Sequence, residues 1–376
     1  MIKKLILAFS ALFLYLPSHA QLKKIAQEIT QSMANTETIG LAVAVIKNNQ
    51  LVYQQSFGKK SLEDDLPLSN SDIFRIASIS KSFAATSMMQ LVEAKKASLD
   101  DDFGNLVGFK IRNPKFPETV ITLRMVLSHT SSINDSQGYF NLDAINPAKN
   151  PNWEKCYTDK QPGTNYLYCN LNFNMLGAVI ERLTGQRFDS YVKQHILAPL
   201  KIYGGYCIDS LDAKRFVSLY EYENKTFKLS PAAYAPRREE LSNYQIGYTT
   251  PVLSPTGGMK ISATDLATYM TMHMNYGKAK GTRIITKRSA RQMQTPLSIP
   301  ENYGLALRTT NKLISGKTLT GHTGSAYGLY SAMFFDPKQK FGMVVITNGT
   351  GANETDGFKN IIKESFNILY QHLIAK

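Results

Sequence analysis

Three short patterns in this chain hold side chains that can work together on a carbonyl. A serine and a lysine three residues apart sit one helical turn apart, close enough for the amine to take or relay the serine's proton. The chain contains this pattern at Ser56 and Lys59, at Ser78 and Lys81, and at Ser190 and Lys193. Ser56 ends a strand-like stretch, and Ser190 lies in an amphipathic helix with Phe188, Val192 and Ile196, so both read as structural. Ser78 follows Phe74-Arg75-Ile76-Ala77 and opens an apolar run from Phe83 to Val92, which places it where a helix begins. Free N–H groups and the helix dipole favour developing negative charge there.

Tyr-x-Asn also occurs three times, beginning at Tyr139, Tyr168 and Tyr222. Only Tyr168 stands between a Pro162-Gly163 turn and a helical run carrying Phe173 and Leu176. If that tripeptide is extended, Tyr168 and Asn170 share one face and Cys169 points inward as packing rather than as a nucleophile. The third element, Gly321-His322-Thr323-Gly324-Ser325, is the only His-Thr-Gly of the chain. A glycine in a strand marks close backbone approach. Gly324 is expected to let an extended substrate lie along the strand edge while the Ser325 N–H meets a carbonyl oxygen.

The elements that must position these groups come from both ends of the chain. Leu22, Ile25, Ile29 and Met33 have helical spacing, and the runs Leu41 to Ile46 and Leu51 to Phe57 flank Lys47-Asn48-Asn49-Gln50 as a hairpin. Strands are expected at Tyr303 to Arg308, Leu329 to Phe335 and Phe341 to Thr347, the last two joined by Asp336-Pro337-Lys338-Gln339. A final helix turns Phe358, Ile361, Ile362, Phe366 and Leu369 inward. The middle is helical, with Gly185 closing one helix and Ser262 capping another. An α/β (α+β) fold follows, with an antiparallel sheet built from about 21–95 and 260–376, a helical lobe over about 96–259, and a cleft between them. The stretch from Ile145 to Gly163 lacks periodicity and is expected to rim that cleft.

At its start the chain reads as a secretory signal peptide over residues 1–20. Lys3 and Lys4 precede the apolar run Leu5 to Leu16, and Ser18-His19-Ala20 offers a small-residue end. The run is short of the ~20 residues a membrane span needs, so no stable membrane anchor is expected and the periplasm or the medium is the expected location. Cleavage would lower the net charge of +14 by two, leaving a basic protein. Its Lys and Arg are scattered without the stripe that nucleic-acid binding requires, so no nucleic acid partner is expected. Three cysteines, Cys156, Cys169 and Cys207, allow at most one internal disulfide; three pairings are open, of which Cys156 with Cys207 is favoured. The six histidines form no His-Glu-x-x-His, there is no Cys-x-x-Cys, and no metal or cofactor is expected.

Taken in order, the three motifs resemble those of the class C β-lactamase and DD-peptidase family of serine penicillin-recognising enzymes. The likeness extends to Leu127-Ser128-His129-Thr130-Ser131-Ser132-Ile133, Pro162-Gly163, Gly257-Gly258 and Ser262 to Leu266. It implies that Ser78 attacks a carbonyl, that Lys81 and Tyr168 share the base role, and that the N–H groups of Ser78 and Ser325 hold the oxyanion. It further implies that Asn170 orients Lys81 or the substrate amide, that His322, Thr323, Gly324 and Ser325 bind substrate, and that His129 is structural. Lowering the Tyr168 proton affinity calls for adjacent cations, which Lys81 and His322 are expected to supply. His322 stands where true class C β-lactamases carry lysine, so carboxylate recognition is expected to weaken as the imidazole loses its proton. Cys169 and Asn172 also depart from the common pattern and are expected to alter the cleft. The implied function is hydrolysis of D-amino-acid peptides such as peptidoglycan stems through an acyl-enzyme, with β-lactam recognition as a side property. A small-ester hydrolase, a β-lactamase, and a catalytically silent envelope-binding protein are the alternatives.

Overall fold

The structure, a computed structural model, describes residues 18–299 and 301–375. The apolar run Leu5 to Leu16 of the expected leader lies outside them. Helix α1 (His19–Asn35) is capped by Ser18, whose Oγ accepts from the Gln21 N–H, so residues 18–20 belong to the start of this helix. Among the described residues no helix is long and apolar enough to cross a membrane.

Strand β1 (Gly40–Lys47) and strand β2 (Gln50–Ser61) form the first hairpin. Asn48 and Asn49 both take positive φ, the backbone of a tight two-residue hairpin turn that asparagine tolerates. A short β3 (Leu66–Pro67) follows, then helices α2 (Ser80–Glu93), α3 (Asn170–Thr184) and α4 (Ala263–Met274). The chain returns through β4 (Arg308–Thr310), β5 (Leu319–Ala326), β6 (Leu329–Asp336) and β7 (Phe341–Thr347) to helix α5 (Asn360–Leu369). Both ends share one seven-stranded sheet in the order β4-β5-β6-β7-β1-β2-β3, and its neighbours pair antiparallel.

Alternation along β1 assigns each face of this sheet to its own core. Leu41, Val43 and Val45 pack with Ile25 and Ile29 of α1 and with Phe366 and Leu369 of α5. Ala42, Ala44 and Ile46 turn the other way, toward Leu266 and Met270 of α4 and the helical part of the chain. Because helices cover both faces, β1, β6 and β7 are apolar at nearly every position. Each fully buried Val or Phe contributes roughly 1.5–3 kcal/mol, which makes the sheet a rigid base for the site on β5, whose second half runs past the short edge strand β4.

Three expectations change. Tyr303 to Leu307 is not a strand, because Ala306 takes positive φ and only isolated bridges form before β4 begins at Arg308. Cys156 and Cys207 do not pair; all three cysteines are buried free thiols, and Cys156 donates to the Ala144 carbonyl. The 145–163 segment carries a short helical turn at Trp153–Cys156 and does not line the cavity that Ser78 faces. Gly185 and Ser262 do close and cap α3 and α4, Gly185 at φ 69° and Ser262 through its Oγ to the Asp265 N–H.

Candidate active site

Ser78 sits in a single tight turn, Ala77–Ile79, that leads into α2. The turn is fixed from outside: Phe74 and Arg75 pair with Lys260 and Ile261, and the Ile76 N–H donates to the Met259 carbonyl. Ala77 has φ 47°, a left-handed backbone that costs an alanine energy and persists only where its surroundings hold it. Gly324 of β5 is part of that hold. A Cβ there would lie 2.2 Å from the Ile76 carbonyl oxygen and 3.2 Å from the Ala77 Cβ. The missing side chain thus lets the strand close on the nucleophile's own turn; it does not make room for substrate, as the sequence suggested.

Behind Ser78 the polar groups are densely partnered. Lys81 is fully buried, and its Nζ donates to Ser78 Oγ at 3.2 Å, Asn170 Oδ1 at 2.8 Å and the Thr256 carbonyl at 3.1 Å. Burial brings its pKa down to about 7, with the Asp135 charge opposing the shift. The three donated bonds are those of the ammonium; after losing one proton near neutral pH the amine keeps two of them and can accept the Ser78 proton. Asn170 is aimed at Lys81 by Asp135, whose carboxylate accepts from the Asn170 Nδ2 and N–H groups, from the Leu171 N–H and from Cys169 Sγ. Asp135 therefore also holds the first turn of α3. Thr256 reaches the site because Gly177 of α3 allows close approach: a Cβ at Gly177 would lie 2.3 Å from Pro255 Cγ. The Thr256 hydroxyl donates to Asn170 Oδ1 at 2.9 Å.

In front of Ser78 lies a cavity of about 280 Å³ lined by Tyr166, Tyr168, Tyr303, Arg308, His322, Thr323 and Ser325. The Tyr168 ring is 4.6 Å from Lys81 Nζ. Its hydroxyl faces Ser78 but makes no well-formed hydrogen bond, and burial raises its pKa above the usual tyrosine value. The resting form is the phenol, poised to donate rather than to act as the first base. His322 is buried, its Nδ1 meeting the Thr323 carbonyl and its Nε2 the Tyr303 hydroxyl at 3.0 Å. Burial and then the Lys81 charge press its pKa down to about 3. An imidazole neutral across the physiological range supplies neither the cation beside Tyr168 nor a proton-dependent carboxylate contact, correcting both expectations.

The cation at this cavity is Arg308, at the start of β4. Its Nε is buried without a hydrogen-bond partner, and it forms no ion pair among the described residues. Sequence reasoning missed Arg308, Asp135 and Thr256. Arg308 stood at the end of a run taken for a strand, Thr256 stood one residue before the noted Gly257-Gly258, and nothing local marks Asp135. Other expectations hold. Cys169 is extended and buried, with its thiol turned to Asp135. His129 is buried among Tyr168, Phe173 and Tyr303 and accepts from the Cys169 N–H, a structural role. Asn172 departs from expectation: it turns inward to the Ser131 hydroxyl and does not alter the cleft. Ser56 bonds Asn70 on the exposed side of the sheet, and Ser190 is exposed on another helix.

Comparison with known proteins agrees with this geometry. The β-lactamase family model matches residues 25–365. Penicillin-binding protein 4 of Amycolatopsis lactamdurans is 26% identical over 351 residues, covering 86% of this chain and 85% of that protein. Protein flp of Staphylococcus aureus (strain MW2) is 22% identical over 324 residues; they make up 82% of this chain but 59% of flp, so the chain spans little more than half of that relative. Among solved structures, the octameric penicillin-binding protein homologue from Pyrococcus abyssi superposes with a TM-score of 0.74 at 25% identity, covering 93% of this chain and 77% of that one. The D-amino acid amidase of Ochrobactrum anthropi SV3 does so with a TM-score of 0.72 at 18% identity, over 93% and 97% of the two chains, a likeness of fold. With its helix-flanked antiparallel sheet and a serine, lysine and tyrosine gathered at its edge, this chain belongs to the β-lactamase family of serine hydrolases.

Proposed function

We propose that the protein is an exported acyl-enzyme hydrolase that removes the last residue of D-amino-acid peptides bearing a free terminal carboxylate, as a DD-carboxypeptidase does. The observation that carries this reading is Arg308: a half-buried guanidinium with an unpartnered Nε in the cavity Ser78 faces. A substrate carboxylate would give it the paired partner it lacks, whereas a neutral ester alcohol would leave it without one.

In the reaction, neutral Lys81 takes the Ser78 proton as Oγ bonds to the substrate carbonyl carbon. The carbonyl electron pair moves to its oxygen, held by the N–H groups of Ser78 and Ser325. As the tetrahedral centre collapses, the C–N bond breaks, Tyr168 hands its proton to the departing amine, and Lys81 restores the phenol. Water then attacks the Ser78 ester by the same route and frees the acid. Thr323 lines the leaving-group cavity beside Arg308, and neutral His322 holds Tyr303 and the Thr323 carbonyl in place. Recognition of β-lactams, whose carboxylate would meet Arg308, is a side property of this reading. Export rests on residues 1–20.

The test compares an acyl-D-alanyl-D-alanine with its C-terminal amide. Hydrolysis of the acid alone, with Arg308→Gln raising KM for the acid, supports the reading. Equal turnover of acid and amide sinks it, and ester turnover without either would favour the small-ester hydrolase. Failure of serine-reactive probes to label Ser78 would favour the silent binding protein.

A further inference from the structure

At the end of the sheet away from Ser78 the chain gathers positive charge. The 35 residues from Leu266 to Pro300 hold six Lys and Arg and no Asp or Glu. Within them a small hairpin pairs Lys278–Ala279 with Thr282–Arg283, and a helix runs over Lys287–Gln294 behind its Thr286 cap. Ala279, Ile284, Ile285, Ala290 and Met293 are buried in the core, which leaves Lys278, Lys280, Arg283, Lys287, Arg288 and Arg291 exposed. Strand register fixes where they lie. Ser325 of β5 is level with Leu41 of β1 through Tyr330 and Thr347. The β1–β2 turn follows Lys47, six residues further along β1, roughly 20 Å away at about 3.3 Å per residue. Asn49 of that turn, with Ile46 and Leu51, joins Lys278, Lys280 and Arg283 around a cavity of about 570 Å³.

The cations meet in space. Lys340, just before β7, donates to the Met274 carbonyl and to Asn275 Oδ1, and Asn275 lines the same cavity. The centre of the Tyr276 ring stands 5.3 Å from the Arg291 guanidinium and 5.5 Å from the Lys340 ammonium. Arg283 is fixed by bonds to the Tyr276 and Ile285 carbonyls. Burial holds Lys340 below the usual lysine range; the Asp336 charge opposes this and the Lys287 charge adds to it. Three carboxylates lie against the cluster, and each is engaged elsewhere. Asp265 accepts from the Ser262 hydroxyl, Asp336 from the Lys338 and Gln339 N–H groups, and Glu93 from the Thr286 N–H. Asp265 also feels the Lys280 charge. Among the described residues, Lys278, Lys280, Arg283, Lys287, Arg291 and Lys340 form no ion pair, so six cations outnumber three carboxylates here. Such an excess raises a positive potential that draws in polyanions.

From this placement we infer that this end of the molecule is a docking surface for a linear polymer of phosphate groups, one phosphate seated in the cavity between Lys278, Lys280 and Arg283 and its neighbours spread over Lys287, Arg291 and Lys340. A hollow ringed by cations receives a charged strand. A bilayer is flat and calls for apolar side chains beside the charge, and of the cavity lining only Leu51 is a large exposed apolar residue. Because the surface stands apart from Ser78, it holds such a polymer whether or not the peptidase reading stands. The test titrates the full chain into end-labelled long-chain inorganic polyphosphate, read by fluorescence anisotropy at several salt concentrations from about 50 mM upward. Reversing Lys278, Lys280 and Arg283 together to Glu is expected to raise Kd at least roughly tenfold and to flatten its salt dependence. Reversing Lys110, Lys115 and Lys160, three exposed cations of the helical lobe, makes the same change in net charge and is expected to raise Kd less than about threefold. Thermal unfolding checks that both variants fold, and the milder exchange of Lys278, Lys280 and Arg283 for Gln is expected to weaken binding in the same direction. Equal losses in the two triple reversals would mean that net charge alone binds, and would overturn the inference. So would absence of wild-type binding at about 50 mM salt. Binding to phosphatidylglycerol vesicles without binding to polyphosphate would overturn it in favour of a membrane surface.

Discussion

The two sides of Ser78 differ in how completely their polar atoms are partnered. Behind it, Lys81 has three acceptors, Asn170 is held at both ends of its amide, and Asp135 takes four donors. In front, the Tyr168 hydroxyl and Arg308 Nε are buried without partners. Protein interiors leave few such groups unsatisfied, because each costs roughly 1–3 kcal/mol. The rear is a finished device that sets the serine and its base before anything binds. The front is completed by substrate, which supplies the amine for Tyr168 and the carboxylate for Arg308.

That contrast can be broken or sharpened by substitution. Ser78→Ala should reduce acylation by roughly 10⁴-fold or more while the fold survives, read by thermal unfolding beside single-turnover rates. Residual acylation at the wild-type rate would remove the serine from the centre of the scheme. Lys81→Met should cost roughly 10³-fold through loss of the general base. In wild type, acylation should rise with pH through about 7, since raising the pH deprotonates Lys81. A rate flat across that range would mean that another group takes the proton.

Effects at the front should fall on binding. Arg308→Gln is expected to raise KM for a carboxylate-bearing substrate by roughly 10–100-fold and to leave kcat close to wild type. Because His322 titrates near 3, wild-type KM should change little between about pH 5 and 8, whereas a KM that climbs through pH 6.5 would restore the imidazole as the carboxylate contact. Asp135→Asn is a smaller perturbation at the rear, expected to slow acylation by roughly tenfold. Its telling sign is in the pH profile: the Asp135 charge raises the Lys81 pKa, so removing it should move the rising limb to lower pH. A purely structural Asp135 would lower the rate without moving the limb. Ser56→Ala and Ser190→Ala should change acylation by less than about twofold, since surface substitutions away from a site rarely matter.

Much of this arrangement was legible in local pattern. The Ser78 and Lys81 pair, the extended Tyr168-Cys169-Asn170 and the sheet drawn from both chain ends follow from spacing and alternation, which neighbouring residues determine. What sequence hid was whatever depends on distant packing. Asp135 and Asn170 meet across 35 residues, and Lys81 meets Thr256 across 175. The state of His322 depends on its burial against Tyr303, which no motif announces. Gly324 was noticed for the right reason, close backbone approach, but assigned the wrong neighbour: the approaching backbone is that of Ile76. The three cysteines invited a disulfide by count alone, while their positions in the fold keep each as a separate buried thiol.

The central claim, an acyl-enzyme on Ser78, is tested most directly by quenching the wild-type protein during turnover of a D-alanyl thiolester and mapping the added mass. The account predicts a transient acyl group on the peptide containing Ser78, absent from Ser78→Ala. An acyl group on any other residue, or one that persists in Ser78→Ala, would contradict it.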